Sequence, residues 1–472
     1  MYMYKTIKSP YKYYVYDGNM NSILEIEKSQ FESLSRIEEG KGQNEDEIIL
    51  QSFQKSGFCN ESNIKEIKHP DTDNVEYYLE SMLSRIYLQI TQNCNLRCNY
   101  CVYSGNYQNR THSNKIMDFE MAKKAIDYLV KHSYDSFECT VGFYGGEPLL
   151  EFELIKKVIS YIKSNYPDKK FSYTITTNGT LLSSEIANYL VENNFSLVIS
   201  LDGHKECQDT NRRFINGKGT FDVIMKNLEN IKRQHPDYFP KILINSVLSP
   251  DADIKSIKDF FSTNDLIRDI RVMSTAVSSA YSNEEIYYPD EYRAVERFET
   301  FKCMLWLIGK LNFDKTSDLF TRWSGPATEK YRMMKKVGKV SEINHPGGPC
   351  VPGKHRLFVD VEGNMFPCER ISEKSKIMNM GNLNTGINIK KVKEIINVGS
   401  CTKEECMKCW CFIFCGQCAA HADKLEDRPS PEMRLSRCDQ LKDSVIENFL
   451  DICFLRENGY NFEEGVLRWE ES

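Results

Sequence analysis

Cys94, Cys98 and Cys101 stand in the run Gln92-Asn93-Cys94-Asn95-Leu96-Arg97-Cys98-Asn99-Tyr100-Cys101, spaced by three and then two residues. Thiolates this close in sequence can hold three corners of one iron–sulfur cluster and leave the fourth iron without a protein ligand. An open iron can bind a small molecule, so the stretch points to catalysis more than to a purely structural cluster. A zinc site or unrelated thiols are the alternatives that these three residues leave open. The chain holds 17 cysteines, and seven of them crowd between Cys401 and Cys438. In a small secreted domain such a number would read as disulfides. Here the N-terminus, Met1-Tyr2-Met3-Tyr4-Lys5, lacks the apolar core of a secretory signal, so metal or cluster ligation is the expectation.

The whole chain narrows the classes. At 472 residues it is too long for one ordinary core, and two or three domains are expected. Lys plus Arg number 61 against 67 Asp plus Glu, a net charge of −6, which gives no electrostatic case for a nucleic-acid partner. No apolar run is long enough to cross a membrane, so the expected location is the cytoplasm.

Elements that must position the cysteines can be read from periodicity. Residues 1–80 begin with an aromatic alternating segment, 11–16, a turn at Asp17-Gly18-Asn19 and a second strand at 22–26. That is a β-hairpin, followed by helical patterns over 28–39 and 45–56. A hairpin with short helices offers a sheet edge and groove able to capture an extended peptide by strand addition; a simple extension packed on the main domain is the alternative. From about residue 86 strands alternate with helices: strands at 86–90, 139–144, 172–177, 196–201, 242–248 and 270–273, helices at 119–132, 152–165, 183–193, 221–234 and 254–261. Repeated β-α units imply a parallel sheet, and six units fall short of the eight that close a barrel. The fold class is therefore α/β, a partial (β/α)6 barrel. Its informative residues follow the C-terminal ends of strands: the three-cysteine loop, then Gly145-Gly146-Glu147-Pro148, Asn178-Gly179-Thr180 and Asp202-Gly203. Residues 281–345 read as a helical bridge, 346–440 as a cysteine-rich region with a hairpin at 356–366, and 441–472 as a closing helix and tail.

Cys94-x3-Cys98-x2-Cys101, with Tyr100 before the last cysteine, resembles the signature of the radical S-adenosylmethionine (SAM) enzymes. In that family the three cysteines hold a 4Fe-4S cluster whose open iron is chelated by SAM, and an electron from the cluster yields a 5′-deoxyadenosyl radical that takes hydrogen from substrate. The resemblance gives Tyr100 a role in sheltering the cluster and meeting the adenine. Gly145-Gly146-Glu147-Pro148 matches the motif that meets the methionine end of SAM, where small residues allow close backbone approach and Glu147 orients the ammonium. It also assigns Asn178 and Asp202 to the cofactor site, with Ser200 and Arg212 for the SAM carboxylate or ribose; a strand cap and a surface ion pair are the plainer alternative for the last two.

The C-terminal cysteines resemble the SPASM extension, a twin auxiliary-cluster domain of peptide-modifying radical SAM enzymes. By position Cys406, Cys409, Cys415 and Cys438 would hold the outer cluster and Cys350, Cys368 and Cys418 the inner one, which makes three 4Fe-4S clusters in all. Cys415 and Cys418 have two residues between them where the usual pattern has three. The inner set has only three cysteines, so one iron is open to a substrate thiolate unless Cys401 or Cys411 closes it. With that extension, residues 1–80 resemble a leader-peptide recognition domain. The resemblance implies a maturase that forms thioether bonds, cysteine sulfur to carbon, in a cysteine-rich precursor peptide bearing a leader, with a flavodoxin- or ferredoxin-like electron donor; Glu369 is a candidate general base only by its position beside Cys368. Formylglycine formation or carbon–carbon crosslinking is the alternative enzyme reading, and an iron–sulfur electron-transfer protein the alternative of another class.

Overall fold

The computed structural model describes residues 2–347, 350–354 and 356–463; the tail at 464–472 lies outside them. Three antiparallel strands open the chain: β1 (Tyr4–Lys8), β2 (Tyr13–Asp17) and β3 (Ser22–Ile26). The hairpin read from sequence is β2–β3, and β1 adds a strand that the sequence reading did not include. Helices α1 (Lys28–Glu38) and α2 (Asn44–Lys55) cover one face, where Val15, Leu34 and Leu50 are buried together. Alternation sends Tyr14 and Tyr16 to the opposite face. There they meet Phe412, Phe449 and Ile452 from the far end of the chain. Both faces of this small sheet are thus closed, and its second face is shared with the cysteine-rich region.

Six parallel strands follow in chain order: β4 (Arg85–Thr91), β5 (Cys139–Gly145), β6 (Phe171–Thr177), β7 (Ser196–Ser200), β8 (Leu243–Leu248) and β9 (Arg271–Ala276). Between them run α3 (Phe119–Lys131), α4 (Phe152–Asn165), α5 (Ser184–Glu192), α6 (Phe221–Gln234) and α7 (Ile254–Thr263). Their amphipathic spacing sets the packing. On α4, Ile155, Val158, Ile159 and Ile162 share one face and are buried against the sheet. Asp118 and Ser183 begin α3 and α5 by accepting the backbone N–H of Met121 and Ile186.

Periodicity gave no sign of how the sheet continues. Strand β10 (Leu357–Val359) pairs in parallel with β4, Phe358 opposite Tyr87, and β11 (Asn364–Phe366), β12 (Gly381–Asn382) and β13 (Gly386–Ile387) extend it antiparallel into one ten-stranded sheet. The cysteine-rich region is therefore laddered onto the first barrel strand. Helices α8 (Asp290–Leu307) and α9 (Asp318–Val337) bridge two cores, Tyr292 and Phe320 in that of the barrel, Met304 and Met334 in that of the N-terminal sheet. No helix among the described residues is long and apolar enough to cross a membrane.

Candidate active site and cysteine clusters

The three-cysteine loop leaves β4 and returns through a short strand, Leu96–Cys98, paired antiparallel with Arg212–Phe214 so that Cys98 faces Arg212. Backbone N–H groups point at two of the sulfurs: Leu96 N lies 3.4 Å from Cys94 Sγ and Tyr103 N 3.5 Å from Cys101 Sγ. Arg212 Nη1 stands 4.0 Å from Cys98 Sγ. Burial pushes the Cys94 thiol up to about 12 and Cys98 up to about 11, against the pull of Arg212 on the latter. Thiols so placed become thiolates readily only when a metal takes them. Among the described residues no three His, Cys, Asp or Glu side chains close around a single ion. Each iron of a cluster takes one thiolate, and Cys94 and Cys101 each have a backbone N–H aimed at the sulfur, as a cluster ligand accepts. The donor set fits a cluster.

Close packing explains the glycine pair. Gly145 sits at φ +137°, and a Cβ there would lie 2.1 Å from Thr91 O; one on Gly146 would lie 2.0 Å from Asn93 O. Gly146 N and Glu147 N donate to those same carbonyls at 2.9 Å, so the end of β5 is stitched to the residues just before Cys94. The Glu147 carboxylate is buried and ties three segments. Its Oε1 accepts from Leu149 N at 3.0 Å and Thr177 Oγ1 at 2.7 Å, and its Oε2 from Asn178 N at 2.7 Å. Burial nonetheless lifts it to about 6. Pro148, also buried, begins the turn Pro148–Glu151. The sequence reading gave Glu147 to a bound ammonium; in the structure its oxygens hold loops together.

Asn178 carries that tie onward, its Nδ2 donating to Asn95 Oδ1 at 2.8 Å inside the cysteine loop. Asp202 is fully buried. Its Oδ2 accepts from the Tyr100 hydroxyl and from Arg212 Nε at 3.1 Å, and its Oδ1 from Val247 N at 3.0 Å. The Arg212 guanidinium stands 5.3 Å from the Tyr100 ring centroid. A surface ion pair is thus replaced by a buried one that links β7, β8 and the cysteine loop. Ser200 is buried at the end of β7, opposite Asn245.

The later cysteines gather in two sets. Burial raises Cys415, and so do its neighbours Cys406 and Cys438; Cys409 is pushed up to about 11 by burial, with Cys415 and Cys406 adding to it. In the other set Cys368 is raised to about 12 by burial, with Cys418 nearby, and Cys418 in turn feels Cys350. The two rivals for closing the inner set both stand by the outer one: Cys401 neighbours Cys406, and Cys411 neighbours Cys409 and Cys415. Glu369 is not a free base. Arg356 Nη1 reaches both its oxygens, at 2.7 and 2.8 Å.

Several aromatic side chains that sequence reasoning missed lie between the sets. Burial raises the Tyr144 phenol, and the charges of Glu369, Cys101 and Cys368 add to it. Tyr281, at φ +59°, donates to Asp423 Oδ2 at 2.8 Å and neighbours Cys418 and Cys368. Tyr103 is buried with its hydroxyl unpartnered among the described residues, under the Arg110 guanidinium 3.7 Å from its ring; Arg110 Nε pairs with both Glu373 oxygens at 2.8 Å. Nearness to Gly145 and Cys101 was a usable signal for Tyr144 and Tyr103. Nothing in the sequence joins Arg110 to Glu373.

Residues 88–263 match the family model described as the radical SAM superfamily. The cysteine-type anaerobic sulfatase-maturating enzyme of Clostridium novyi (strain NT) is 36% identical over 297 residues, covering 61% of this chain and 73% of that one. The radical SAM cyclopropyl synthase TigE of Paramaledivibacter caminithermalis is 30% identical over 197 residues, 39% of this chain and 38% of that one. Among solved structures, native anSMEcpe with bound AdoMet and Cp18Cys peptide superposes with a TM-score of 0.56 at 20% identity, over 78% of this chain and 98% of that one, a likeness of fold.

Proposed function

The chain belongs to the radical SAM superfamily, in the maturase family that includes the anaerobic sulfatase-maturating enzymes, and from that premise we propose that it oxidises a cysteine-containing polypeptide substrate. When bound, a 4Fe-4S cluster on Cys94, Cys98 and Cys101 with SAM supplies the 5′-deoxyadenosyl radical. The protein's residues do the rest. Asp202, Arg212 and Tyr100 fix the cysteine loop beside the SAM site, while Glu147, Asn178 and the two glycines set its depth. The observation that carries the reading is the parallel pairing of Leu357–Val359 with Ile86–Leu88, which ladders the strand leading toward Cys368 onto the strand leading to the three-cysteine loop and so supports one substrate shared by the two sets.

Two two-electron oxidations of a cysteine-containing peptide are open to such an enzyme: at the cysteine β-carbon, which gives formylglycine, or at the carbon of another residue, which the cysteine sulfur then joins as a thioether. The likeness to cysteine-type sulfatase maturases, whose product is a formylglycine, supports that alternative over the thioether that the sequence reading put first. The thioether reading keeps one observation of its own: Cys401 and Cys411 both stand by the outer set, which leaves Cys350, Cys368 and Cys418 as three ligands with room for a substrate thiolate. In either case residues 85–280 would perform the radical chemistry, 281–345 bridge, 346–440 carry two auxiliary clusters, 441–472 close the body and 1–80 engage the peptide, fed by a flavodoxin- or ferredoxin-like donor.

Incubation of anaerobically reconstituted protein with SAM and reductant should give 5′-deoxyadenosine, and its absence refutes the radical reading. Mass spectrometry of a co-expressed cysteine-containing peptide then separates the products. Loss of sulfur marks formylglycine; loss of hydrogens with sulfur retained marks a thioether.

A further inference from the structure

The short helix α10 (Pro431–Leu435) carries Arg434, whose side chain is only 1% exposed. Its Nε, Nη1 and Nη2 are all without a hydrogen-bond partner among the described residues. A guanidinium presents five N–H donors and cannot neutralise itself by losing a proton. Burying it with nothing to receive those donors costs several kcal/mol, roughly, and is not tolerated without a compensating anion. The fold therefore requires a negative group at this point that no described side chain supplies.

What stands around Arg434 narrows the choice. Gln417 joins it to the outer cysteines, its Nε2 donating to Arg434 O at 3.0 Å and lying 3.7 Å from Cys438 Sγ. Cys438 follows Arg434 by one helical turn of sequence and opens helix α11 (Cys438–Glu457). His345 is buried nearby in the fold's interior, and an imidazole, neutral or protonated, supplies no negative charge. The Cys438 sulfur, 3.7 Å from the same Gln417 Nε2 that donates to Arg434 O, is the group that a bound cluster would make anionic here.

We propose that Arg434 is the built-in counter-charge of the outer cluster on Cys406, Cys409, Cys415 and Cys438, and that it raises the reduction potential of that centre. The proposal rests on reading those four cysteines as cluster ligands. Four thiolates around an oxidised four-iron core leave a dianion, and uptake of one electron, with no proton, makes a trianion. A buried cation stabilises the trianion more than the dianion, and it does so strongly in a site shielded from water. The outer centre is thereby easier to reduce than it would be without the arginine, which suits it to hold an electron that leaves the substrate. Arg434 touches no substrate in this scheme; it is a positioning and tuning residue.

The test uses the full chain carrying Cys94→Ala/Cys98→Ala/Cys101→Ala, so that only auxiliary clusters contribute, with iron and sulfide counts followed by a potentiometric titration monitored by electron paramagnetic resonance. Arg434→Met should keep the iron and shift one centre to lower potential by at least a tenfold change in its reduction equilibrium, about 59 mV for one electron. Arg434→Lys, which keeps the charge, should restore most of that shift. An unchanged potential in an iron-replete Arg434→Met protein overturns the proposal. If Arg434→Met loses one cluster, the lysine variant decides: retained iron and potential support the counter-charge, and loss of iron from a chain still folded by circular dichroism refutes it. Absence of iron in the triple-alanine parent is a different failure, that of the auxiliary-cluster reading itself.

Discussion

Replacing Gly146 by alanine puts a methyl group into the carbonyl that the motif donates to. The added Cβ would lie 2.0 Å from Asn93 O and 2.5 Å from Asn93 C, both backbone atoms that no rotamer change can move. The two segments must part by about 1.4 Å to restore an ordinary contact. That opening stretches the 2.9 Å bond from Glu147 N to Asn93 O beyond hydrogen-bond range, which costs about 1–3 kcal/mol for a buried donor left unmade. The larger effect is positional. Asn93 precedes Cys94, so the displacement falls on the first sulfur of the loop, and a 1 Å misplacement at a reacting centre can lower rate roughly 100-fold. Gly146→Ala should therefore bind less iron at the Cys94 set and cleave SAM about 10- to 100-fold more slowly, with the auxiliary iron unchanged. Gly325→Ala, where an added Cβ meets nothing within 4 Å, serves as the control. The measurements are iron per chain, taken with and without the three loop cysteines, and 5′-deoxyadenosine released per minute. A Gly146→Ala protein with full iron and wild-type SAM cleavage would show that the glycine pair is not what sets the loop.

Two further outcomes are expected. Arg212→Met leaves Asp202 as a buried carboxylate facing only the Tyr100 hydroxyl and Val247 N–H, and should lower unfolding stability by about 3–5 kcal/mol; a urea denaturation midpoint that does not move would deny the pair its structural part. Deleting residues 1–80 would strip Tyr14, Tyr16 and Ile23 from the core they share with Phe412 and Phe449, so the truncated chain should aggregate on size-exclusion chromatography. A monodisperse truncated chain that merely loses peptide affinity would mean the N-terminal sheet is a separable module.

Local pattern made much of this molecule legible. The alternation of β4 to β9 with α3 to α7 appears in the sequence as a change of period, because each helix must bury one face on a sheet buried on both sides. Cys94, Gly145 and Asp202 could be found because chemistry at strand ends leaves short motifs. What escaped was long-range. The hairpin read at 356–366 is β10–β11, but nothing in its alternation tells that β10 pairs with a strand some 270 positions earlier. Arg434 looked like any charged residue of a polar helix, since its isolation depends on what surrounds it. The Glu369 base was a guess from adjacency to Cys368, and Arg356, thirteen residues earlier, occupies it.

The shared sheet has a mechanical consequence. Because Leu357, Phe358 and Val359 are laddered to Ile86, Tyr87 and Leu88, the span between the first cysteine loop and Cys368 is fixed by backbone register, as a caliper is fixed by its beam. Shearing that ladder would break several hydrogen bonds at once, so the gap cannot widen by sliding one half past the other. On the proposed function, a polypeptide substrate would have to enter by an opening elsewhere on the rim.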